Sequence, residues 1–76
     1  MNNYMKNEYC IYIRNNCISC QRVAQYIAQN NIRIKLINID LEDNFSLPIN
    51  LMIFPALLLG NKIIAYGDDI IRKINP

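Results

Sequence analysis

The sequence contains no histidine, no long apolar run and no cluster of basic residues. Without histidine, metal sites that need an imidazole ligand are excluded, and so is much of ordinary acid–base catalysis. No apolar run approaches the roughly 18 residues of a membrane-spanning helix, so we expect no membrane partner. The formal net charge is only +2 and the basic residues are scattered, which argues against a nucleic-acid partner.

The composition indicates one small folded domain. The chain has 76 residues, of which 53% are hydrophobic and 18% are charged. Disordered chains combine low hydrophobicity with high net charge, and this chain has neither property. We therefore expect a single domain over residues 1–76. The first residues, Met1–Lys6, lack the apolar core of a secretory signal, so we expect a cytoplasmic protein, and we expect it to be a monomer.

The first half of the chain predicts a β-α-β unit. Glu8–Ile13 is a short apolar and β-branched run, typical of a buried strand, and Ile32–Ile39 is a second one. Between them, Cys17–Gln29 has apolar residues at helical spacing, and the pair Asn30-Asn31 that follows suits a helix C-terminus. Two strands joined by one helix are expected to be parallel. The predicted apolar stripe of the helix comprises Cys20, Val23, Ala24, Ile27 and Ala28.

The stretch Asp40–Met52 is the least regular part of the sequence and predicts only a short helix. Asp40 or Asp43 would cap the beginning of that helix, because an aspartate side chain accepts hydrogen bonds from the first backbone N–H groups. Pro48 would limit its length, since proline has no N–H group to donate.

The last third of the chain predicts a hairpin followed by a helix. Pro55–Leu59 and Lys62–Tyr66 are strand candidates on either side of Gly60-Asn61, a pair suited to a tight turn. Ile70–Ile74 predicts a last helix, capped by an aspartate. The expected order is therefore β-α-β-(short α)-β-β-α. It predicts an α/β fold with a mixed four-stranded sheet flanked by helices, the minimal thioredoxin-like arrangement.

The three cysteines suggest chemistry at one place in this order. Cys17 and Cys20 form a Cys-x-x-Cys pair, which is typical of a redox dithiol or of half a zinc site. A zinc site would need a carboxylate or a second chain to complete its ligands, so we favour the redox interpretation. A pair of unreactive buried thiols is the third interpretation. Cys10 lies inside the first strand and is expected to be a core thiol.

The predicted position of the pair suits thiol exchange. A cysteine reacts as the thiolate, which is favoured where the pKa of the thiol is lowered. Cys17 lies where a strand gives way to a helix, and the exposed N–H groups of a helix N-terminus favour an anion. Arg14 either adds a positive charge nearby or is a solvated turn residue. Cys20, one turn further on the buried stripe, is placed to resolve a mixed disulfide on Cys17.

Three groups of residues resemble the glutaredoxin branch of the thioredoxin superfamily, over about Tyr9 to Ile74. The first is Arg14 with Cys17-Ile18-Ser19-Cys20, the second is Ile53-Phe54-Pro55, and the third is Gly67-Asp68-Asp69-Ile70. Their order and spacing are those of the basic residue and Cys-x-x-Cys, the Thr-Val-Pro and the Cys-Asp-Asp-Leu of glutaredoxins. The chain also resembles the shortest thioredoxin-like redox proteins in its size.

The resemblance implies roles for particular residues. Pro55 would follow a cis peptide bond and face Cys17, and the backbone of Phe54 would pair with the glutathione peptide. Asp68 and Asp69 would hold the γ-glutamyl end of glutathione, and Arg14 would attract its glycine carboxylate. The chain departs from the family at three places. Glutaredoxins usually have Pro and Tyr between the cysteines and Gly-Gly before the aspartate, whereas this chain has Ile18-Ser19 and Ala65-Tyr66. The segment between Asp40 and Pro55 is also too short for the family's full second helix.

The expected function is that of a glutaredoxin-like enzyme, a thiol–disulfide oxidoreductase. Its substrates would be protein disulfides or glutathione mixed disulfides, glutathione would be its co-substrate, and it would need no bound cofactor and no metal. The nearest alternative is a mini-thioredoxin or ribonucleotide-reductase electron donor that a reductase recycles. An alternative of another class is a metal or iron–sulfur carrier that uses Cys17 from each of two chains. A third is an adaptor without redox activity that binds a peptide over Pro55.

Overall fold

The computed structural model describes residues 9–41 and 50–75, which form four strands and two helices. The predicted helix between Asp40 and Met52, together with Asp43 and Pro48, falls mainly on residues outside the described ranges, as does Glu8. Among the described residues, no helix is long and apolar enough to span a membrane. The elements are β1 (Tyr9–Ile13), α1 (Ile18–Gln29), β2 (Lys35–Asn38), β3 (Ala56–Leu59), β4 (Lys62–Tyr66) and α2 (Asp69–Ile74).

The four strands form one mixed sheet in the order β2-β1-β3-β4. β1 and β2 are parallel, as expected for strands joined by one helix, while β1–β3 and β3–β4 are antiparallel. Ile11, in the middle of β1, is paired with Leu36 on one side and with Leu57 on the other. The prediction of an α/β fold with a mixed four-stranded sheet is confirmed.

The two faces of the sheet are covered differently. Both described helices pack on one face, where Val23 and Ile27 of α1 and Ile70 of α2 lie against Ile11 and Leu57. On the opposite face a second apolar cluster is buried, built on Tyr12, Ala56 and Leu58 with partly buried side chains around them. β1 is therefore buried on both faces, which explains why its sequence is apolar at nearly every position.

Helix α1 presents a narrower apolar stripe than its sequence predicts. Cys20, Val23 and Ile27 are buried, but Ala28 is exposed, because it lies beyond the edge of the sheet-facing side. The helix ends as expected at the two asparagines, with Asn31 in the left-handed region at φ 54°. The N–H of Ile32 then donates to the carbonyl of Ile27. This bond ties Ile32 to the end of the helix. The strand β2 begins only at Lys35 and is therefore shorter than the predicted Ile32–Ile39.

The hairpin of β3 and β4 has the predicted turn and one irregularity. Gly60, at φ 61°, and Asn61 form the turn between Leu59 and Lys62, which are paired. The register shifts after Leu57, so that one additional residue of β4 is accommodated. Such a bulge lets two consecutive side chains of β4, those of Ile64 and Ala65, both face the helices.

Candidate functional site

Four chain segments meet at one edge of the sheet. In a parallel pair the ends of both strands lie together, and Ile13 of β1 is indeed opposite Asn38 of β2. In an antiparallel pair the end of one strand meets the start of the other, so Ala56, at the start of β3, lies between Tyr12 and Tyr66. The residues that follow β1, β2 and β4 and those that precede β3 therefore converge, and the Cys-x-x-Cys pair lies among them.

Cys17 and Cys20 are joined by a disulfide at the N-terminus of α1. Their Cα atoms are 5.1 Å apart, within the usual range for a disulfide. Cys17 is the N-cap residue of the helix, with extended backbone, and its Sγ accepts a hydrogen bond from the N–H of Cys20 at 3.1 Å. The carbonyl of Cys17 accepts the N–H of Gln21 at 3.0 Å, which is the first regular turn. An anionic sulfur at position 17 would be stabilised by the same N–H donor.

The two sulfur-bearing residues differ in exposure, as the sequence predicts. Cys20 is only 1% exposed and packs inside the domain, whereas Cys17 is half-buried. An external disulfide therefore has access to Cys17, while Cys20 is reached only from Cys17. This is the asymmetry that separates an attacking thiol from a resolving thiol.

The segment before β3 lies directly against Cys17. The Phe54–Pro55 peptide bond is cis, and Pro55 is fully buried. The carbonyl oxygen of Phe54 lies 3.8 Å from the Sγ of Cys17. The carbonyl of Pro55 accepts the N–H of Gly67 at 2.8 Å, which extends the β3–β4 pairing to this edge. The structure therefore brings Phe54 and Pro55 to the disulfide, as the sequence predicts.

Asp68 has a different role from the helix cap that the sequence predicts. It occupies the N-cap position of α2, but its side chain makes no capping hydrogen bond. One carboxylate oxygen accepts the hydroxyl of Ser19 and the other accepts Nη1 of Arg22, each at 3.0 Å. Asp68 is exposed at the surface, yet both of its oxygens are engaged by residues in the first two turns of α1. It thus connects the start of α2 to the residue beside Cys20.

Gly67 allows the turn before α2 to pass close to Ser19 of α1. Its φ of 57° lies in the left-handed region, where a side chain is unfavourable. A Cβ atom at this position would lie 3.7 Å from the Oγ of Ser19, so the turn before α2 passes close to the Cys-x-x-Cys segment.

Arg14 is paired within the chain as well. Its guanidinium forms an ion pair with Asp40 at 3.7 Å and lies over the ring of Phe54, 5.6 Å from the ring centre. The positive charge is therefore held beside the segment that contacts Cys17. Arg14 thus contacts Phe54 and Asp40 at this edge.

Asp40 lies at this edge of the sheet, and the short helix that the sequence predicts after it falls mainly outside the described residues. Its carboxylate accepts the N–H of Asn15 at 2.8 Å, and its own N–H donates to the side chain of Asn38 at 2.9 Å. The side chains of Asn38 and Asn15 are also hydrogen-bonded, at 3.0 Å. Sequence reasoning overlooked these three residues, together with Arg22. A usable signal was present, since neighbouring parallel strands end at the same edge and polar residues follow both.

Asp69 lies one residue beyond the cluster around Asp68. It is exposed in the first turn of α2 and borders a surface depression with Ile64, Ala65, Arg72 and Lys73. Its position thus differs from that of Asp68, and its predicted role in glutathione binding remains a prediction.

Cys10 lies on the face of the sheet that the described helices leave uncovered. It is partly buried against the cluster of Tyr12, Ala56 and Leu58 and is not in a disulfide. Burial raises the pKa of the Cys10 thiol above its usual value, although a hydrogen bond with Tyr12 and the charge of Lys35 oppose that shift. Burial, followed by the interaction with Cys10, also raises the pKa of Tyr12 to about 12. Cys10 thus resembles a packing residue, as predicted.

Within the described ranges no group of three or more potential metal ligands of the His, Cys, Asp and Glu types comes together. Comparison of the chain with protein-family models, with curated proteins and with solved structures gave no match.

Proposed function

We propose that the protein is a thiol–disulfide oxidoreductase of thioredoxin-like fold, in which Cys17 is the nucleophile and Cys20 the resolving thiol. The observation that carries this proposal is the disulfide itself, closed across a helix N-terminus with one half-buried and one buried cysteine. Its supporting feature is the carbonyl of Phe54, before the cis bond to Pro55, which lies 3.8 Å from Cys17. This is the arrangement that the resemblance to glutaredoxins implies.

The reaction needs only the two thiols and a substrate disulfide. The Cys17 thiolate attacks one sulfur of the substrate, a mixed disulfide forms on Cys17, and the second substrate thiolate leaves and takes a proton. The Cys20 thiolate then attacks the Cys17 sulfur, which restores the Cys17–Cys20 disulfide and releases the first substrate thiolate, protonated in turn. Two electrons and two protons pass from the dithiol to the substrate. An external thiol or a reductase returns the dithiol form.

Two features of the described residues favour this reaction. The N–H of Cys20, which donates to the Sγ of Cys17, stabilises the thiolate that attacks. The burial of Cys20 keeps the resolving thiol from external disulfides, so the mixed disulfide forms on Cys17. No organic cofactor is needed for the cycle.

The test is a disulfide-exchange assay with three variants. The parent, fully reduced, should reduce a small peptide disulfide and lose 2 Da of mass as its own disulfide forms. Cys20→Ser should stop at a stable mixed disulfide on Cys17, and Cys17→Ser should be inactive. Cys10→Ser is the matched control and should behave as the parent. Reaction of Cys17→Ser at the parental rate, or a mixed disulfide on Cys20, would refute the assignment.

The recycling donor separates the glutaredoxin-like and the thioredoxin-like versions of this proposal. The oxidised protein is incubated either with glutathione or with a thioredoxin-reductase-type flavoenzyme and NADPH. Faster reduction by glutathione supports the glutaredoxin-like version, and faster reduction by the flavoenzyme supports the alternative.

A further inference from the structure

Four of the described charged side chains near the disulfide form two ion pairs with one another. Arg22 and Asp68 form one ion pair at 3.0 Å, and both oxygens of Asp68 are engaged because Ser19 donates to the second. Arg14 and Asp40 form the other ion pair, at 3.7 Å, and Asp40 also accepts the N–H of Asn15. A charged ligand that needs these groups must therefore displace contacts that already exist.

The apolar side chains at the same edge are, in contrast, largely exposed. Ile18, directly after Cys17, is 68% exposed, while Met52 and Ile53, directly before Phe54, are 90% and 56% exposed. Phe54 contacts Cys17, and consecutive Cα atoms are about 3.8 Å apart, so both segments lie close to the disulfide. Among the described residues, the exposed large hydrophobic side chains are those of Ile18, Leu36, Leu41, Met52 and Ile53.

The paired ionic groups and the exposed apolar side chains favour one kind of substrate disulfide over another. Glutathione is a small peptide with two carboxylates and one ammonium group, and it needs unpaired charged partners. A polypeptide segment with apolar side chains beside its cysteine needs exposed apolar surface, because burial of that surface drives association. The edge around Cys17 offers the second kind of contact, and four of its described ionic side chains, those of Arg14, Arg22, Asp40 and Asp68, are already engaged.

We propose that the Cys17–Cys20 dithiol is specific for disulfides of proteins in which apolar residues flank the cysteine, in preference to disulfides of glutathione. This inference rests on the proposed oxidoreductase function and names its substrate class. The occupant of the apolar surface is the segment of the substrate protein that carries the disulfide, since only that segment must reach Cys17. Ile18, Met52 and Ile53 are then specificity-determining residues.

The experiment compares three disulfides that share one leaving group. Two heptapeptides are prepared, one with Leu and Ile beside the cysteine and one with Ser at both places, and each is linked to 2-mercaptoethanol. The third disulfide is glutathione linked to 2-mercaptoethanol. Second-order rate constants for reduction by the reduced protein are measured at neutral pH. We expect the apolar peptide to react about tenfold faster than the other two, as expected where at least one apolar side chain is buried on docking.

Single replacements then localise the preference. Ile18→Ser, Met52→Ser and Ile53→Ser should each lower the rate with the apolar peptide severalfold and leave the rate with the glutathione disulfide within twofold. Leu36→Ser is the matched control, because Leu36 is also exposed but lies in the middle of β2 rather than at the end of the strand. That variant should keep the full preference. Circular dichroism checks that each variant is folded.

The outcomes separate the two proposals. Equal or faster reaction with the glutathione disulfide overturns the inference and leaves the oxidoreductase function in place. A loss of rate in the serine variants that is the same for all three disulfides also overturns it, because such a loss reflects a change in the dithiol and not in docking. If the parent reduces none of the three disulfides, the proposed function itself is wrong.

Discussion

Cys10 and Cys17 are seven positions apart, and the structure gives them opposite environments. Cys10 lies in a strand buried on both faces, where burial raises the pKa of the thiol. Cys17 caps a helix, is half-buried and accepts a backbone N–H at its sulfur. The same side chain therefore packs inside one element and caps the beginning of another, where the proposed function makes it the nucleophile. The position of a cysteine within an element thus decides the surroundings of its thiol.

The comparison extends to the surroundings of the two residues. Around Cys10 the neighbours are mainly apolar side chains of the second cluster, with the hydrogen bond to Tyr12 and the charge of Lys35 as the polar influences on its thiol. Around Cys17 lie backbone groups and paired ionic side chains, and the residue that directly follows it, Ile18, is apolar and exposed. The first region contributes packing, and the proposed function assigns the chemistry to the second.

Serine replacement of Cys17 and of Cys10 should show the difference between the two residues most clearly. We expect Cys17→Ser to reduce disulfide exchange to the uncatalysed rate, because serine supplies no nucleophile comparable to a thiolate at neutral pH. We expect Cys10→Ser to keep the exchange rate within about twofold, although the hydroxyl in an apolar cluster costs about 1–3 kcal/mol of unfolding free energy. Exchange kinetics and urea unfolding measure the two effects. An equal loss of exchange rate in both variants would contradict the different roles assigned to Cys17 and Cys10.

Truncation of the isoleucines next to each cysteine should separate stability from surface contact. Ile11 is fully buried in the middle of the sheet, and Ile11→Ala should lower the unfolding free energy by about 2–5 kcal/mol. Ile18 is exposed, and Ile18→Ala should change the unfolding free energy by no more than about 0.5 kcal/mol. Equilibrium unfolding in urea gives both values. A large effect of Ile18→Ala would show that the residue is packed in solution.

Alkylation of the reduced protein should distinguish the two thiols by pH. Iodoacetamide reacts with thiolates, so at pH 7 Cys17 should be modified about tenfold or more faster than Cys10. The Cys10 rate should rise about tenfold per pH unit and continue to rise above pH 9, because its pKa is raised. Tyr12→Phe should slow Cys10 further, since the hydrogen bond with Tyr12 lowers that pKa. Peptide mass mapping quantifies each site.

The same shift has a consequence for stability. A folded-state pKa above the unfolded value stabilises the fold below the unfolded pKa, and the contribution is lost as the pH rises through the folded pKa. We therefore expect the parent to lose stability relative to Cys10→Ala above about pH 9 and not near neutrality. A constant difference between the two proteins from pH 6 to pH 10 would contradict this expectation.

Alanine replacement of the two glycines should give the smallest effect. Gly60 and Gly67 both have a φ near +60°, so each Ala variant should lose about 1 kcal/mol of unfolding free energy. Gly67 also lies beside Ser19, and only Gly67→Ala should alter the rate of disulfide exchange. Gly60, in the hairpin turn with no atom near its Cβ position, is the matched control. An equal change of exchange rate in both variants would contradict the role of the Gly67 turn.

Much of the fold was predictable because the elements are locally encoded. The apolar run ending at Ile13, the stripe of α1 and the turn at Gly60 each predict an element from neighbouring residues alone. The limits of β2 were less predictable, because the N–H of Ile32 donates to the carbonyl of Ile27 at the helix terminus and the strand begins only at Lys35. The exposure of Ala28 depends likewise on where the sheet ends.

The residues of the sequence motifs in the candidate site were predictable, but the side chains that bind to them were not. Cys17, Cys20 and Pro55 follow from spacing and from the resemblance to glutaredoxins. Arg22 and Asp68, 46 positions apart, are joined only because both helices pack on one face of the sheet. A single sequence does not show which of its distant residues are in contact.

The order of the described elements, the Cys-x-x-Cys pair at the start of a helix and the apolar central strand follow from the amino-acid sequence. These depend on local hydrogen bonding and on the periodicity of apolar side chains, which neighbouring residues specify. The contacts of Asp68 with Ser19 and Arg22, in place of a cap on its own helix, and those of Asp40 with Arg14 and Asn15 follow from the tertiary packing. A carboxylate can satisfy its oxygens with any donor within reach, and the packing of the sheet and helices determines which donors are near.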